Sequence, residues 1–196
     1  MSNETEKTPE LQNAASESST TLHSKKKLFT PRLIAEIGLM AAILEVSKIA
    51  LSLIPNVELV SLEIILFTLY LGVPVLAAVW AFVGVELLVW GFGLWTMTYI
   101  YVWPVLVVLT LLFRKHEHKP EAYLIFSTLS GAYGLFFGAL CAIPFLFIGG
   151  LPSAIGMWIS GIPYDLTHCA GNFVLCLILF KPLHAVLDRI KRHPFG

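Results

Sequence analysis

Six long apolar segments, each bounded by Pro, Gly or charged residues, constrain the fold of this chain more than any other feature. We place them at residues 32–54, 57–72, 74–90, 96–113, 122–148 and 162–180. An α-helix rises about 1.5 Å per residue, so about 20 apolar residues cross the hydrocarbon core of a bilayer. Most of the segments approach that length. The pattern predicts an all-α integral membrane protein with six transmembrane helices in a compact bundle.

The composition also favours a bilayer over water as the surrounding solvent. Hydrophobic residues make up 57% of the chain and charged residues 13%, whereas soluble domains have about 45–50% and about 25%. A disordered chain, a basic nucleic-acid binder and a disulfide scaffold are excluded. The three cysteines lie inside apolar segments, which is typical of small core residues rather than of a metal or redox site.

Two boundaries between segments depend on proline and glycine. Only Gly72-Val73-Pro74 separates the second and third segments, which predicts a tight helical hairpin. The stretch 149–161 could extend either neighbouring helix. Because proline is favoured in the first turn of a helix and disfavoured in its interior, Pro163 indicates that the last helix begins near residue 162. We therefore expect an outer loop with some helical structure at 149–161.

Lysine and arginine indicate the orientation. All the lysine and arginine residues except Lys48 lie in three regions: the tail and its junction with the first segment, the 113–121 connection, and the C-terminal end. Cytoplasmic segments of membrane proteins carry an excess of these residues, so both termini are predicted to be cytoplasmic in a multi-pass protein of the cell membrane. We divide the chain into a disordered cytoplasmic tail (1–29), a six-helix membrane domain (30–183) and a cytoplasmic end (184–196).

Two charged groups need separate interpretation. Lys48 follows Glu45 by three residues, a spacing that allows an intrahelical pair, and we favour mutual neutralisation over a ligand role. His116-Glu117-His118 lies in the 113–121 connection, where we expect a solvated charge cluster.

Polar side chains inside the apolar segments are candidates for function, because a charge at the centre of a spanning helix costs about 2.5–3.5 kcal/mol. Asp165, His168 and Asn172 are spaced i, i+3, i+7 and share one helix face. Three further carboxylates lie toward the same outer side: Glu58, Glu63 and Glu86.

Aromatic residues are concentrated at the same predicted level. Trp95, Tyr99 and Trp103 recur every four residues and form a stripe on the fourth segment. With the polar side chains they predict an outward-facing pocket for a small molecule with a planar portion. Simpler interpretations stay open. Tryptophan is common at membrane interfaces, helix dipoles favour Asp165 and Glu58 near helix starts, and His168 could be hydrogen-bonded within the bundle.

Small residues form two smooth helix faces. One consists of Gly131, Gly134 and Gly138, and the other of Ala35, Gly38 and Ala42. Such faces allow close helix packing, either inside the bundle or against a partner subunit, and spacing alone does not assign the two roles.

Motifs for an enzyme or an ATP-driven pump are missing from the sequence. It has no phosphate-binding loop, no His-Glu-x-x-His and no Gly-x-Ser-x-Gly. Asp165 and His168 lack a third ligand, which makes a metal site weak. We expect no catalytic residues, no metal and no cofactor.

Several motifs resemble the substrate-binding S component of energy-coupling factor (ECF) transporters, over about residues 30–183. They are Ile54-Pro55-Asn56-Val57-Glu58, Gly161-Ile-Pro-Tyr-Asp-Leu-Thr-His168 and Leu179-Phe180-Lys181-Pro182-Leu183. The last helix is similar to that of the riboflavin-type members. Riboflavin binders have Asn and Lys where this chain has Asp165 and His168, so a related vitamin or cofactor precursor is the implied substrate.

The resemblance implies a binding subunit that captures substrate outside the cell. Transport would require a transmembrane coupling (T) subunit and two ATPase subunits, with rotation of the S component in the membrane. The first helix, with Ala35, Gly38 and Ala42, would dock on the T subunit. The expected substrate-binding residues are Asn56, Glu58, Glu86, Trp95, Tyr99, Trp103, Asp165, His168 and Asn172.

Two other functions remain open. A stand-alone secondary transporter could couple ions through Glu63, Glu86 and Asp165. A membrane enzyme using Asp165 and His168 ranks last, because no recognisable catalytic set accompanies them.

Overall fold

The computed structural model describes residues 30–53 and 57–192. Every regular element within those ranges is helical, which confirms an all-α fold. The helices are α1 (Pro31–Leu51), α2 (Val60–Leu71), α3 (Val75–Trp90), α4 (Leu94–Phe113), α5 (Ala122–Cys141) and α6 (Ile143–Arg192), with a 3-10 turn at Arg114–His116. The predicted tail at 1–29 lies outside the described residues.

The chain divides into two units, Met1–Ile34 and Ala35–Gly196. In the first unit the described residues start α1. The Thr30 Oγ1 atom there accepts a hydrogen bond from the Leu33 amide at 3.2 Å, which satisfies one of the free N–H groups of the first turn. The second unit contains the rest of α1 and all the later helices.

Three helical stretches within the described ranges are long and apolar enough to cross a bilayer: Leu94–His116, Ala122–Cys141 and Ile143–Arg192. α2 and α3 are shorter apolar helices. The surface is apolar too, since Leu88, Phe92 and Phe147 are 80–87% exposed. Helices satisfy their own backbone hydrogen bonds and are therefore suited to lipid. These features are those of an all-α membrane protein.

α2 forms the centre of the second unit. Its residues from Val60 to Leu69 are all buried, and it packs against α3, α4, α5 and α6. A helix that is apolar all round is expected to be enclosed by other helices. Gly72 (φ 71°) ends α2, and Pro74 immediately precedes α3, so the tight connection predicted here is confirmed.

The prediction of an outer loop at 149–161 is wrong. Only Gly149 and Gly150 depart from helical geometry, and the helix then continues through Pro163 to Arg192. Gly150 has φ 70°, which glycine adopts without steric cost. Pro152 therefore occupies the first turn after the break, where its missing N–H costs little. Pro163 and Pro182 are interior prolines of the kind that membrane helices tolerate.

The glycine face of α5 packs directly on α6. A Cβ atom at Gly134 would lie 2.9 Å from the backbone C and O atoms of His168, and one at Gly131 would lie 3.0 Å from the Cβ of Phe173. Helices can approach this closely only because glycine has no side chain at these positions. Of the two small-residue faces in the sequence, this one packs inside the bundle.

Substituting Gly134 with alanine is expected to destabilise the fold. The added Cβ meets helix backbone, which shifts less readily than a side chain, and overpacking of this kind costs about 1–3 kcal/mol. Thermal unfolding in detergent measures the effect. Gly84→Ala in α3 is the matched control, because nothing lies within 4 Å of a Cβ there. Equal unfolding temperatures for the two variants would contradict the close packing.

Candidate functional site

Glu58 joins polar side chains from distant parts of the chain. Its Oε1 atom lies 3.0 Å from Nε2 of His168, although 110 residues separate the two in sequence. Ser61 donates to the same oxygen from its hydroxyl at 2.6 Å and from its amide at 3.3 Å. Glu58 therefore accepts hydrogen bonds at the start of α2 and also contacts α6.

Asn172 extends this cluster one turn along α6. Its side-chain amide donates to the Ser61 hydroxyl at 3.1 Å and, at 3.5 Å, to Glu58. The shared face predicted for Asp165, His168 and Asn172 turns toward the protein interior, since all three side chains are buried. Ser61 was missed at the sequence level because a buried serine three residues after Glu58 is unremarkable until α6 packs beside it.

Asp165 accepts a hydrogen bond from the backbone of α5 at a glycine. The Gly138 amide in α5 donates to Oδ1 of Asp165 at 2.9 Å. A Cβ at Gly138 would lie 2.7 Å from that same oxygen, so only glycine leaves room for the carboxylate. The other oxygen, Oδ2, is buried and has no hydrogen-bond partner among the described residues.

A continuous aromatic wall runs from α4 to α6. Tyr99 and Trp103 pack edge to face with ring centroids 5.4 Å apart, Trp103 and Phe137 are 5.6 Å apart, and Phe137 packs edge-on against His168 at 4.8 Å. Trp95 donates from Nε1 to the Tyr99 hydroxyl at 3.2 Å. The predicted stripe is therefore in contact with the polar cluster. Phe137 was not predicted, although it shares a helix face with Gly134.

Two cavities meet at this wall and share Trp95, Phe137 and His168. The larger has a volume of about 430 Å³ and also contacts Asp165 and Tyr164. Its remaining lining residues are Gly138, Cys141, Met157, Ser160 and Gly161. The smaller, of about 200 Å³, is lined by Lys48, Leu51, Ser52, Val57, Glu58, Val60, Tyr99 and Trp103 besides the shared residues. Apolar walls with a few polar groups are typical of small-molecule sites.

Glu86 lies behind the smaller cavity rather than in its wall. Its carboxylate forms an ion pair with the Lys48 ammonium, and that ammonium lies 5.1 Å from the Tyr99 ring centroid. The expected pairing of Lys48 with Glu45 is therefore wrong, because α3 brings a closer carboxylate. Both carboxylate oxygens of Glu45 are buried without a hydrogen-bond partner among the described residues. Two buried carboxylates thus lie near one ammonium group, which forms an ion pair with Glu86 alone among the described residues.

The remaining predicted site residues lie elsewhere. Glu63 accepts a hydrogen bond from Ser47 at 2.7 Å and links α1 to α2. Asn56 lies outside the described residues. Ala35, Gly38 and Ala42 are exposed on α1, and a Cβ at Gly38 would meet no atom of the described residues within 4 Å. Their role in partner docking stays a prediction.

A second polar cluster lies at the C-terminal part of α6. His184 contacts Glu117 at 3.2 Å through Nε2 and Asp188 at 3.6 Å through Nδ1. These three could hold a metal ion, yet they already pair with one another. Glu117 is buried, so the solvated His116-Glu117-His118 cluster expected from sequence is wrong at its central residue.

Comparison with protein-family models, with curated proteins and with solved structures finds no match. The function is therefore inferred from the residues and geometry of this chain.

Proposed function

We propose that this chain is the substrate-capture subunit of an ECF-type importer. It binds a small vitamin or cofactor precursor from the outer side of the cell membrane and delivers it inward with a T subunit and two ATPase subunits. The observation that carries the proposal is the pair of aromatic-walled cavities beside the polar cluster of Glu58, His168 and Asn172. Such a site offers recognition of a ring and its polar substituents.

Binding suits this site better than catalysis. His168 contacts the carboxylate of Glu58 through Nε2, and among the described residues no hydroxyl or thiol is hydrogen-bonded to its ring as the nucleophile that an imidazole base would activate. Cys141 lines the larger cavity, but its thiol faces the Thr98 hydroxyl at 3.8 Å. We therefore assign the polar groups to ligand recognition.

In the proposed membrane arrangement six helices span the bilayer, and both termini are cytoplasmic. Arg114 donates to the carbonyl of Leu69, near the C-terminal end of α2, whereas Glu58 contacts the site just before its N-terminal end. The basic 113–121 connection and the cavities thus lie at opposite ends of α2, about 18 Å apart at 1.5 Å per residue. Positive charge favours the cytoplasmic side, which leaves the site facing outward.

Docking on the T subunit is assigned to the exposed small residues of α1. Gly38→Leu and Ala42→Leu are expected to leave ligand binding and thermal stability unchanged, because neither position is buried in the bundle. Both should reduce recovery of the T subunit when the complex is purified through a tag on this chain.

Ala81→Leu, at an exposed position of α3, is the matched control for the docking variants. It should leave assembly intact. Normal assembly of the Gly38 and Ala42 variants would show that their face serves another purpose.

The proposed function is tested by purifying the chain alone in mild detergent and identifying the small molecule released on denaturation by mass spectrometry. We expect one compound in a stoichiometric amount, and we expect the same compound to raise the unfolding temperature when it is added back. Absence of any compound, together with no protection by a panel of vitamins, would contradict the proposal.

An ion-coupled secondary transporter is the alternative function. The buried carboxylates of Glu45 and Glu86 near Lys48 favour it, because buried carboxylates in membrane helices commonly mark ion or proton pathways.

A further inference from the structure

One oxygen of the Asp165 carboxylate is a buried hydrogen-bond acceptor without a donor among the described residues. Oδ1 accepts from the Gly138 amide at 2.9 Å, whereas Oδ2 has no partner among the described residues. Asp165 is only 5% exposed and lines the larger cavity. A buried carboxylate oxygen without a donor is costly. A ligand that brings an N–H group or a positive charge would remove that cost.

The side chains around the two cavities carry a net negative charge. Among the residues that the structure describes, no lysine or arginine lines the larger cavity. Lys48 lines the smaller one, but Glu86 neutralises it. Glu58 and Asp165 then contribute two negative charges, and His168 supplies at most one positive charge. The sum is negative in either protonation state of His168, so a cation is favoured over an anion.

The walls indicate which kind of cation fits. Trp95, Phe137 and Tyr164 present aromatic rings to a cavity of about 430 Å³, and aromatic faces attract organic cations. A bare metal ion would find one carboxylate and an imidazole that already contacts Glu58, too few ligands for a hard cation.

We infer that the larger cavity binds a planar heteroaromatic ring that is positively charged or carries an amino group, with that group against Asp165. The inference rests on the proposed function and adds the chemical class of its substrate. Stacking on the aromatic wall supplies affinity, and Asp165 selects for positive charge.

Three probes of similar shape test this charge selection on the purified full-length chain in detergent: 1-methylquinolinium, which is a permanent cation, the neutral 1-methyl-2-quinolone and the anionic quinoline-2-carboxylate. Binding is followed by tryptophan fluorescence and by calorimetry at up to millimolar concentrations. We expect the cation to bind about tenfold more tightly than the neutral probe. The anion should bind most weakly.

Asp165→Asn separates charge from shape. The asparagine oxygen can still accept from the Gly138 amide, so the fold is retained, as the unfolding temperature will verify. The variant should lose the preference for the cation and bind the neutral probe as the wild type does. Asp188→Asn, the same change outside both cavities, should retain the preference.

The outcomes distinguish this inference from the proposed function. Equal or tighter binding of the neutral or anionic probe would overturn the inference alone, as would an unchanged preference in Asp165→Asn. A copurifying compound without a cationic or N–H group would do the same. If no probe binds and no compound copurifies, both the inference and the proposed function are contradicted.

Discussion

His168→Ala is expected to weaken ligand capture by the purified chain strongly while leaving it folded. The imidazole touches both cavities, contacts Glu58 at 3.0 Å and packs edge-on against Phe137 at 4.8 Å. Its removal opens the wall between the cavities and removes a polar contact. Truncating a hot-spot residue at the centre of a binding site costs about 2 kcal/mol or more, so we expect the Kd to rise by about 30-fold or more.

The fold should survive this change because Glu58 keeps other donors. Ser61 still donates to its carboxylate from the hydroxyl and the amide. Calorimetric titration with the compound released from the wild-type protein measures the loss. His184→Ala, which removes a partly buried histidine that lies outside both cavities on α6, is the control and should bind normally. An unchanged Kd in His168→Ala would place the binding site elsewhere.

Lys48→Met is expected to destabilise the fold strongly. The ammonium pairs with Glu86, which is 2% exposed, and lies beside Glu45, which is 8% exposed. Removing it leaves two buried carboxylates without a cation. Breaking a buried ion pair by removing one partner costs about 3–5 kcal/mol.

A double-mutant cycle isolates this effect. Adding Glu86→Gln to Lys48→Met removes one of the stranded charges, so the double variant should recover much of the lost stability, as measured by unfolding in detergent. Lys181→Met is the control, since Lys181 lies over the Tyr123 ring at 3.7 Å and a contact of that kind is worth about 0.5–1 kcal/mol at an exposed site. Equal losses for the two lysine variants would contradict a special role for Lys48.

The helix period predicted one side of the candidate site but not its partners. Asp165, His168 and Asn172 share a face because their spacing fixes the angle between them. Their contacts with Glu58 and Gly138 depend on how α2 and α5 pack against α6, which local sequence does not encode. Lys48 shows the same limit. Spacing pointed to Glu45, whereas the tertiary fold brought Glu86 of α3 into the ion pair.

The segment 149–161 illustrates a second limit. Proline does favour the first turn of a helix, but both Pro152 and Pro163 are candidates for that position. Gly150, with its positive φ, breaks the helix just before Pro152 and thereby selects the earlier one. As a result Met157, Ser160 and Gly161 belong to a helix and line the larger cavity. The prediction of a loop at 149–161 did not include them in the site.

Uptake into proteoliposomes tests the central claim most directly. The compound released from the purified chain is supplied outside vesicles that contain the chain alone, with a proton or sodium gradient, or the chain with a T subunit and two ATPases, with ATP inside. The capture-subunit account predicts binding without uptake by the chain alone and ATP-dependent uptake by the complex. Gradient-driven uptake by the chain alone would contradict it and would favour an ion-coupled transporter.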